Sequence, residues 1–217
     1  MTIGNPASLA EFWETLPIAS ASFSLGAAVV STRTEGGDTI TAQRGARLWR
    51  ASVSLWRRRH REGEAIKARL AAMADAGQSF FAYPLPVFTT EYDPTGELDS
   101  ATIYTLPASV VEMRLSSLGT GYTLRGGDYL SFAYGSNPTR YALHQVVSGT
   151  FVADAPGRTG TFEVRPAIRP GAQVMGQVRL YKPRMVAVIV PGSIQWGTSE
   201  GAATTGISFE IIQTLRG

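Results

Sequence analysis

Seven arginines (Arg44, Arg47, Arg50, Arg57, Arg58, Arg59 and Arg61) stand in one stretch that holds no acid, with Trp49 and Trp56 interleaved. That mixture suits two chemistries. Guanidinium groups contact phosphates and indoles stack on bases, so the stretch fits a nucleic acid or another polyanion. Arg and Trp are also the residues that anchor protein interfaces. Trp49 alternates within a strand-like pattern, which takes that indole into a core. The leading reading is therefore a subunit interface carried by Arg44, Arg47, Arg57, Arg58, Arg59 and Arg61, with a plain solvated surface as the bland alternative.

Other candidate groups lead to no catalytic site. His60 lies among Arg57, Arg58, Arg59 and Arg61, where positive charge disfavours its protonation, and it has no acidic partner nearby in sequence. It reads as a solvated loop histidine. His144 lies inside a strand and reads as a packed or pore-facing residue. Two separate histidines lack the spacing and partners of a zinc site. Asp93, Glu97 and Asp99 share a loop and fit a cation, but their spacing is not that of an EF-hand. There is no Cys, which excludes disulfides, thiol chemistry and Cys-based zinc sites. Neither a phosphate-binding Gly-rich signature nor a G-x-S-x-G elbow is present. The expectation is a non-enzyme with no cofactor and no metal.

The elements that must hold these residues are mostly strands. Ser8 is an N-cap for a short helix containing Phe12 and Trp13. A strand is expected over 21–34, then a turn at Glu35-Gly36-Gly37-Asp38 and a return strand from Thr39, which makes a hairpin. Residues 45–56 alternate with period two, Trp49, Val53 and Leu55 facing inward. At 62–76 the period changes. Ile66, Leu70 and Met73 form a helical stripe, Glu62 and Glu64 sit in the first turn, and Gly77 takes the C′ position. A strand with Phe80, Phe81 and Tyr83 follows.

Pro84 and Pro86 end that pattern. From 87 to 168 the pieces are strand-like: 87–91, 101–106, 110–114, 129–134, 141–152 and 160–164. Gly126-Gly127-Asp128 is one of the turns between them. Short strands without a helix indicate a small barrel or sandwich. Pro166 and Pro170-Gly171 close this block, and strands resume at 177–181, 185–190, 193–196 and 206–214. The economical organisation is one discontinuous domain, 1–83 with 170–217, holding the helix 62–76, and an all-β domain inserted at 84–169.

With 217 residues and a net charge of +3, the chain has length for one large domain or two small ones. No apolar run approaches the about 18 residues of a membrane helix, so no membrane span is expected. Nor does the N-terminus read as a secretory signal. The basic residues are nearly all Arg, only Lys67 and Lys182 being lysine. Arg holds planar, bidentate contacts better than Lys, which again suits interfaces.

Four pieces of the middle block occur in a recognisable order: Gly127-Asp128-Tyr129-Leu130; Arg140-Tyr141-Ala142-Leu143-His144-Gln145-Val146; Ala153-Asp154-Ala155-Pro156-Gly157; and Pro166-Ala167-Ile168-Arg169. Trp49 and Val53-Ser54-Leu55, then the helix to Met73 and Phe80, come before them. Together they resemble the distal tail proteins of siphophages and gene transfer agents, over roughly residues 45–215 in pieces. The resemblance implies a tail-tube-like β-sandwich with one α-helix plus an inserted small OB-like or galectin-like β domain. It implies a virion structural protein of the tail tip, made in the host cytoplasm. Such a protein forms a hexameric ring that joins the tail-tube protein to the hub and tip proteins. DNA would pass through the lumen without specific binding, and Arg57, Arg58, Arg59 and Arg61 would lie at subunit or tube contacts away from the lumen wall. The Thr-rich segment 89–106 falls outside the pattern and reads as an arm or hairpin.

Two alternatives stand beside this reading. Tyr92, Tyr104, Tyr122, Tyr134 and Tyr141 in the middle domain fit stacking on host-surface carbohydrate. The Arg-rich stretch fits nucleic-acid binding.

Overall fold

The computed structural model describes residues 4–98 and 100–216. A 3-10 turn (Trp13–Thr15) precedes strands β1 (Ile18–Leu25), β2 (Val29–Arg33), β3 (Thr39–Gln43), β4 (Trp49–Leu55) and the two-residue β5 (Arg58–Arg59). Helix α1 (His60–Met73) and β6 (Phe80–Ala82) follow. Then come β7 (Thr102–Thr105), β8 (Glu112–Ser116), β9 (Thr123–Arg125), β10 (Tyr129–Tyr134), β11 (Arg140–Val146), β12 (Thr150–Val152), β13 (Phe162–Arg165) and β14 (Val178–Arg179). The chain ends with β15 (Met185–Ile189), β16 (Gln195–Glu200) and β17 (Ala203–Gln213). It is mainly β, with one α-helix among the described residues. Among the described residues no helix is long and apolar enough to cross a membrane.

Seven strands make one sheet in the order β1-β4-β17-β15-β6, with β16 and β5 also pairing β17. Alternation puts Trp49, Ala51, Val53 and Leu55 on one face of β4, and that face is buried. The helical stripe of Ile66, Leu70 and Met73 closes over it together with Phe12, Trp13, Phe80 and Phe209. Burying each such large side chain contributes about 1.5–3 kcal/mol. This cluster draws on the first and last parts of the chain, and Leu143 is its buried member from the middle.

The middle strands form a second sheet in the order β14-β10-β11-β13-β8-β7. Its edges nearly meet. Thr102 bridges Gln177, Ile103 N–H donates to Gly176 O at 2.9 Å, and Met175 N–H donates to Ile103 O at 2.8 Å. Side chains fill the interior, among them Ile103, Met113, Leu115, Leu124, Phe132 and Phe162, as a small barrel requires.

Several elements depart from the sequence expectations. The strand expected over 21–34 is two strands, because Gly26 N–H bonds Leu48 O at 2.9 Å and the chain then leaves the sheet. The helix runs over His60–Met73 rather than 62–76, and Ala74 is the C-cap in the right-handed region, while Gly77 (φ 87) serves the following turn. The first segment is a 3-10 turn. Its N-cap is Phe12, with no side-chain cap, rather than Ser8; Ser8 instead pairs reciprocally with Glu11 in the turn before it, Ser8 Oγ accepting from Glu11 N–H at 3.3 Å and Ser8 N–H donating to Glu11 Oε2 at 2.8 Å.

In the middle, 87–91 is a loop. Thr89 Oγ1 donates to Asp93 O at 2.5 Å and Thr90 Oγ1 accepts from Asp93 N–H at 3.3 Å, so the hydroxyls supply the turn's bonds. The segment 89–106 is therefore no arm, since β7 pairs with β8 inside the second sheet. The strand expected over 141–152 breaks at Gly149 (φ 94) into β11 and β12. Of residues 177–181, expected as a strand with the outer segments, Gln177, Val178 and Arg179 pair in the second sheet. Val178 pairs with Phe132, and Val178 and Leu180 are buried in the barrel cluster. The change of cluster falls between Leu180 and Met185, past the prolines that mark it in the sequence.

Candidate functional site

Strand β4 delivers the arginine segment to the surface. Trp49 is 2% exposed, its indole N–H donates to Leu143 O at 2.8 Å, and its ring meets Tyr129 edge-on at 5.5 Å. It ties the large sheet to β10 and β11 of the second sheet. Seven residues later Trp56 is 62% exposed. Arg57, Arg58, Arg59, His60 and Arg61 continue that exposed run. Its backbone is fixed: Trp56 N–H donates to Pro17 O at 2.8 Å, Arg58 and Arg59 pair with Thr204 and Ala203, and His60 N–H donates to Ala202 O at 3.0 Å. The helix start is pressed on β17 because Gly63 has no side chain; a Cβ there would stand 2.7 Å from the Thr204 Cβ. Among the described residues no ion pair involves Arg57, Arg58, Arg59 or Arg61. The result is an exposed indole beside four unpaired guanidiniums on a rigid backbone.

Arg44 and Arg47 belong elsewhere, at the root of a ribbon. Strands β2 and β3 pair from Val29↔Gln43 to Arg33↔Thr39, and every residue in both is exposed. The hairpin turns at Glu35-Gly36-Gly37-Asp38 with Gly37 at φ 89. Register places Val30, Thr32, Ile40 and Ala42 on one face and the more polar set on the other. The ribbon is thus amphipathic, yet its apolar face is bare, Ile40 being 60% exposed. Arg44 N–H closes the root on Ala28 O at 2.7 Å. Half-buried Arg47 clamps it, with Nε donating to Gly26 O at 3.2 Å and Nη2 to Leu25 O at 3.5 Å.

The opposite face of the large sheet escaped the sequence reading. Ser20 and Ser22 pair with Ser54 and Ser52, and Ser54 and Ser52 pair in turn with Ser208 and Glu210. Alternation turns these hydroxyls away from the core. The signal in sequence is the alternating serine of Ser20, Ser22, Ser24 and of Ser52, Ser54, legible only once the strands are aligned.

The remaining candidates are spent on structure. His144 is fully buried, Nδ1 donates to Pro166 O at 2.8 Å, and its ring stacks on Phe132 at 5.1 Å. Burial, with the nearby Arg169 adding to it, pushes its pKa down to about 4, so it is packed and neutral. His60 is exposed. The Asp93 carboxylate is filled by its own loop, accepting from Thr95 Oγ1, Gly96 N–H and Leu98 N–H at 3.0–3.2 Å. Glu97 is exposed, and Asp99 lies outside the described residues. Among the tyrosines, Tyr122 and Tyr134 are core, Tyr104 carries Arg114 and Arg158, and Tyr141 meets Phe81 and Arg184. Tyr92, 44% exposed, is the one of the five with a largely open ring. No protein-family model matches this chain, and no curated protein matches it.

Proposed function

We propose that this chain is a non-enzymatic structural part of a phage tail tip: a distal tail protein whose copies form a hexameric ring joining the tail tube to the tip hub. The observation that carries the proposal is the bare ribbon of β2 and β3. A lone two-stranded ribbon is marginal in water, so a sequence that gives it an apolar face is built for cover by another chain. The exposed Trp56 with Arg57, Arg58, Arg59 and Arg61 fits a second contact of the same kind. The ordered motif pieces that resemble distal tail proteins supply the word "tail".

The outward face of the large sheet suits the inner side of such a ring. A wall along which DNA slides must not hold phosphate. The serine face, which also carries Arg50, suits that wall better than the run Arg57, Arg58, Arg59 and Arg61, which belongs at subunit or tube contacts. The inserted barrel, OB-like or galectin-like in this reading, lies outside the ring. A carbohydrate platform in that barrel gains little support, since four of its five tyrosine rings are covered.

The test is the mass and symmetry of the purified protein. Two-dimensional class averages showing a closed ring support the proposal. A monomer at all concentrations removes it. Retention on DNA with steep salt dependence would favour nucleic-acid binding instead, and none is expected at about 0.1 M salt.

A further inference from the structure

Building on the ring reading, we infer that the acidic tip of each ribbon docks into an arginine-lined pocket at the ribbon root of the next copy. The pocket, about 380 Å³, lies where the ribbon leaves the sheet and meets the barrel. Arg47, Arg165 and Arg169 line it with Gln43, Val110 and Val111.

Its charge is poorly matched within the chain. Among the described residues Arg47 donates only to the Gly26 and Leu25 carbonyls, and Arg169 Nη2 donates to Arg47 O at 3.4 Å. Arg165 donates to Val164 O at 3.4 Å and pairs with Glu163. Three guanidiniums thus share one carboxylate. Each guanidinium carries five donors in a planar fork, so several remain for an oxyanion held bidentately.

The complement sits at the other end of the ribbon. Glu35 and Asp38 flank Gly36-Gly37, both are exposed, and neither joins an ion pair among the described residues. Asp38 bonds only through its backbone, to Thr34. A five-residue strand spans about 17 Å, so the tip stands well away from the root of its own chain. Another copy must supply the carboxylates. Docking of the tip also lays the apolar face of Val30 and Ile40 along the neighbour. Tip and root are different surfaces, so the contact is heterologous and repeats head to tail, which is how a ring closes.

The test uses the full chain and two charge reversals, Glu35→Arg with Asp38→Arg at the tip, and Arg165→Glu with Arg169→Glu in the pocket. Sedimentation velocity across concentrations reads assembly. Each reversal is expected to weaken self-association about 100-fold, and the four changes together in one chain restore it. Mixing the two variants leaves two matched contacts, the intact tip in the intact pocket and the reversed tip in the reversed pocket, so the two variants alternate and assembly returns in the mixture though neither assembles alone. A ring that survives both reversals overturns the docking while leaving the ring reading in place. A wild type that never associates sinks the ring reading and the docking with it. Inorganic phosphate that binds wild type but not the pocket variant, with assembly indifferent to both reversals, assigns the pocket to a free anion and overturns the inference.

Discussion

Strand β4 and the ribbon of β2 and β3 carry the same alternation, and only one of them has anything to alternate against. In β4, Trp49, Ala51, Val53 and Leu55 are all buried, between β1 and β17 and under α1. In the ribbon, Val30 and Ile40 line up just as regularly and stay 42% and 60% exposed. The difference teaches that period two selects a face but supplies no cover for it. Where the chain supplies the cover, the pattern makes a core; where it does not, the pattern marks a surface awaiting a partner.

The sharpest way to break this comparison is to truncate its buried anchor. Trp49→Ala removes the bond to Leu143 O and leaves a large cavity between the two sheets, and should cost about 3–5 kcal/mol in chemical unfolding. The exposed counterpart Trp56→Ala should stay within about 0.5 kcal/mol. Equal costs for the two would erase the distinction drawn here.

A second probe titrates the barrel. His144 is held at a pKa of about 4 when folded, against an ordinary value of 6.5. The unfolded chain therefore takes up the proton first. Stability is fully present above pH 6.5 and is lost as pH falls towards 4, by about 3 kcal/mol over the window. Unfolding midpoints measured from pH 7 to 4 should show that slope, and His144→Gln should flatten it.

Next in size is the helix start. Gly63→Ala drives a methyl into Thr204 and should cost about 1–3 kcal/mol, read as a lowered Tm. An unchanged Tm would mean that the helix floats free of β17.

The smallest effect on stability, and the most telling, belongs to the ribbon. Ile40→Ser should leave the subunit's unfolding within about 0.5 kcal/mol of wild type while weakening self-association. Hydrogen exchange sharpens the same point: amides of β2 and β3 should exchange fast in dilute subunit and slow down on assembly. A ribbon protected in the monomer would show that it already has its cover.

Much of the architecture was legible in the residues. The period of β4, the Ile66, Leu70 and Met73 stripe, and the turn at Glu35-Gly36-Gly37-Asp38 rest on local spacing, and local spacing is what a sequence displays. The failures share a cause. Gln177 to Tyr181 looks like the start of the last block, because a proline stands before it; only pairing with Phe132 and Ser131 assigns it to the barrel. Thr89 and Thr90 look like strand residues, yet their hydroxyls bond the turn at Asp93. The fold also divides the arginine stretch into two places, Arg47 clamping backbone carbonyls at the ribbon root and Arg57, Arg58, Arg59 and Arg61 forming an exposed run. Arg165 and Arg169 were not among the candidates, since they lie more than a hundred residues from the ribbon whose root they line.

By itself the sequence determined the β-rich character, the single helix and the polarity of each strand's two faces, because these follow from residue type and spacing along one segment. Tertiary structure alone decided which face found cover, which arginines kept their donors free, and that serines from β1, β4 and β17 gather on one surface. Those outcomes depend on alignment between segments far apart in the chain, and no local pattern encodes the register of a distant partner.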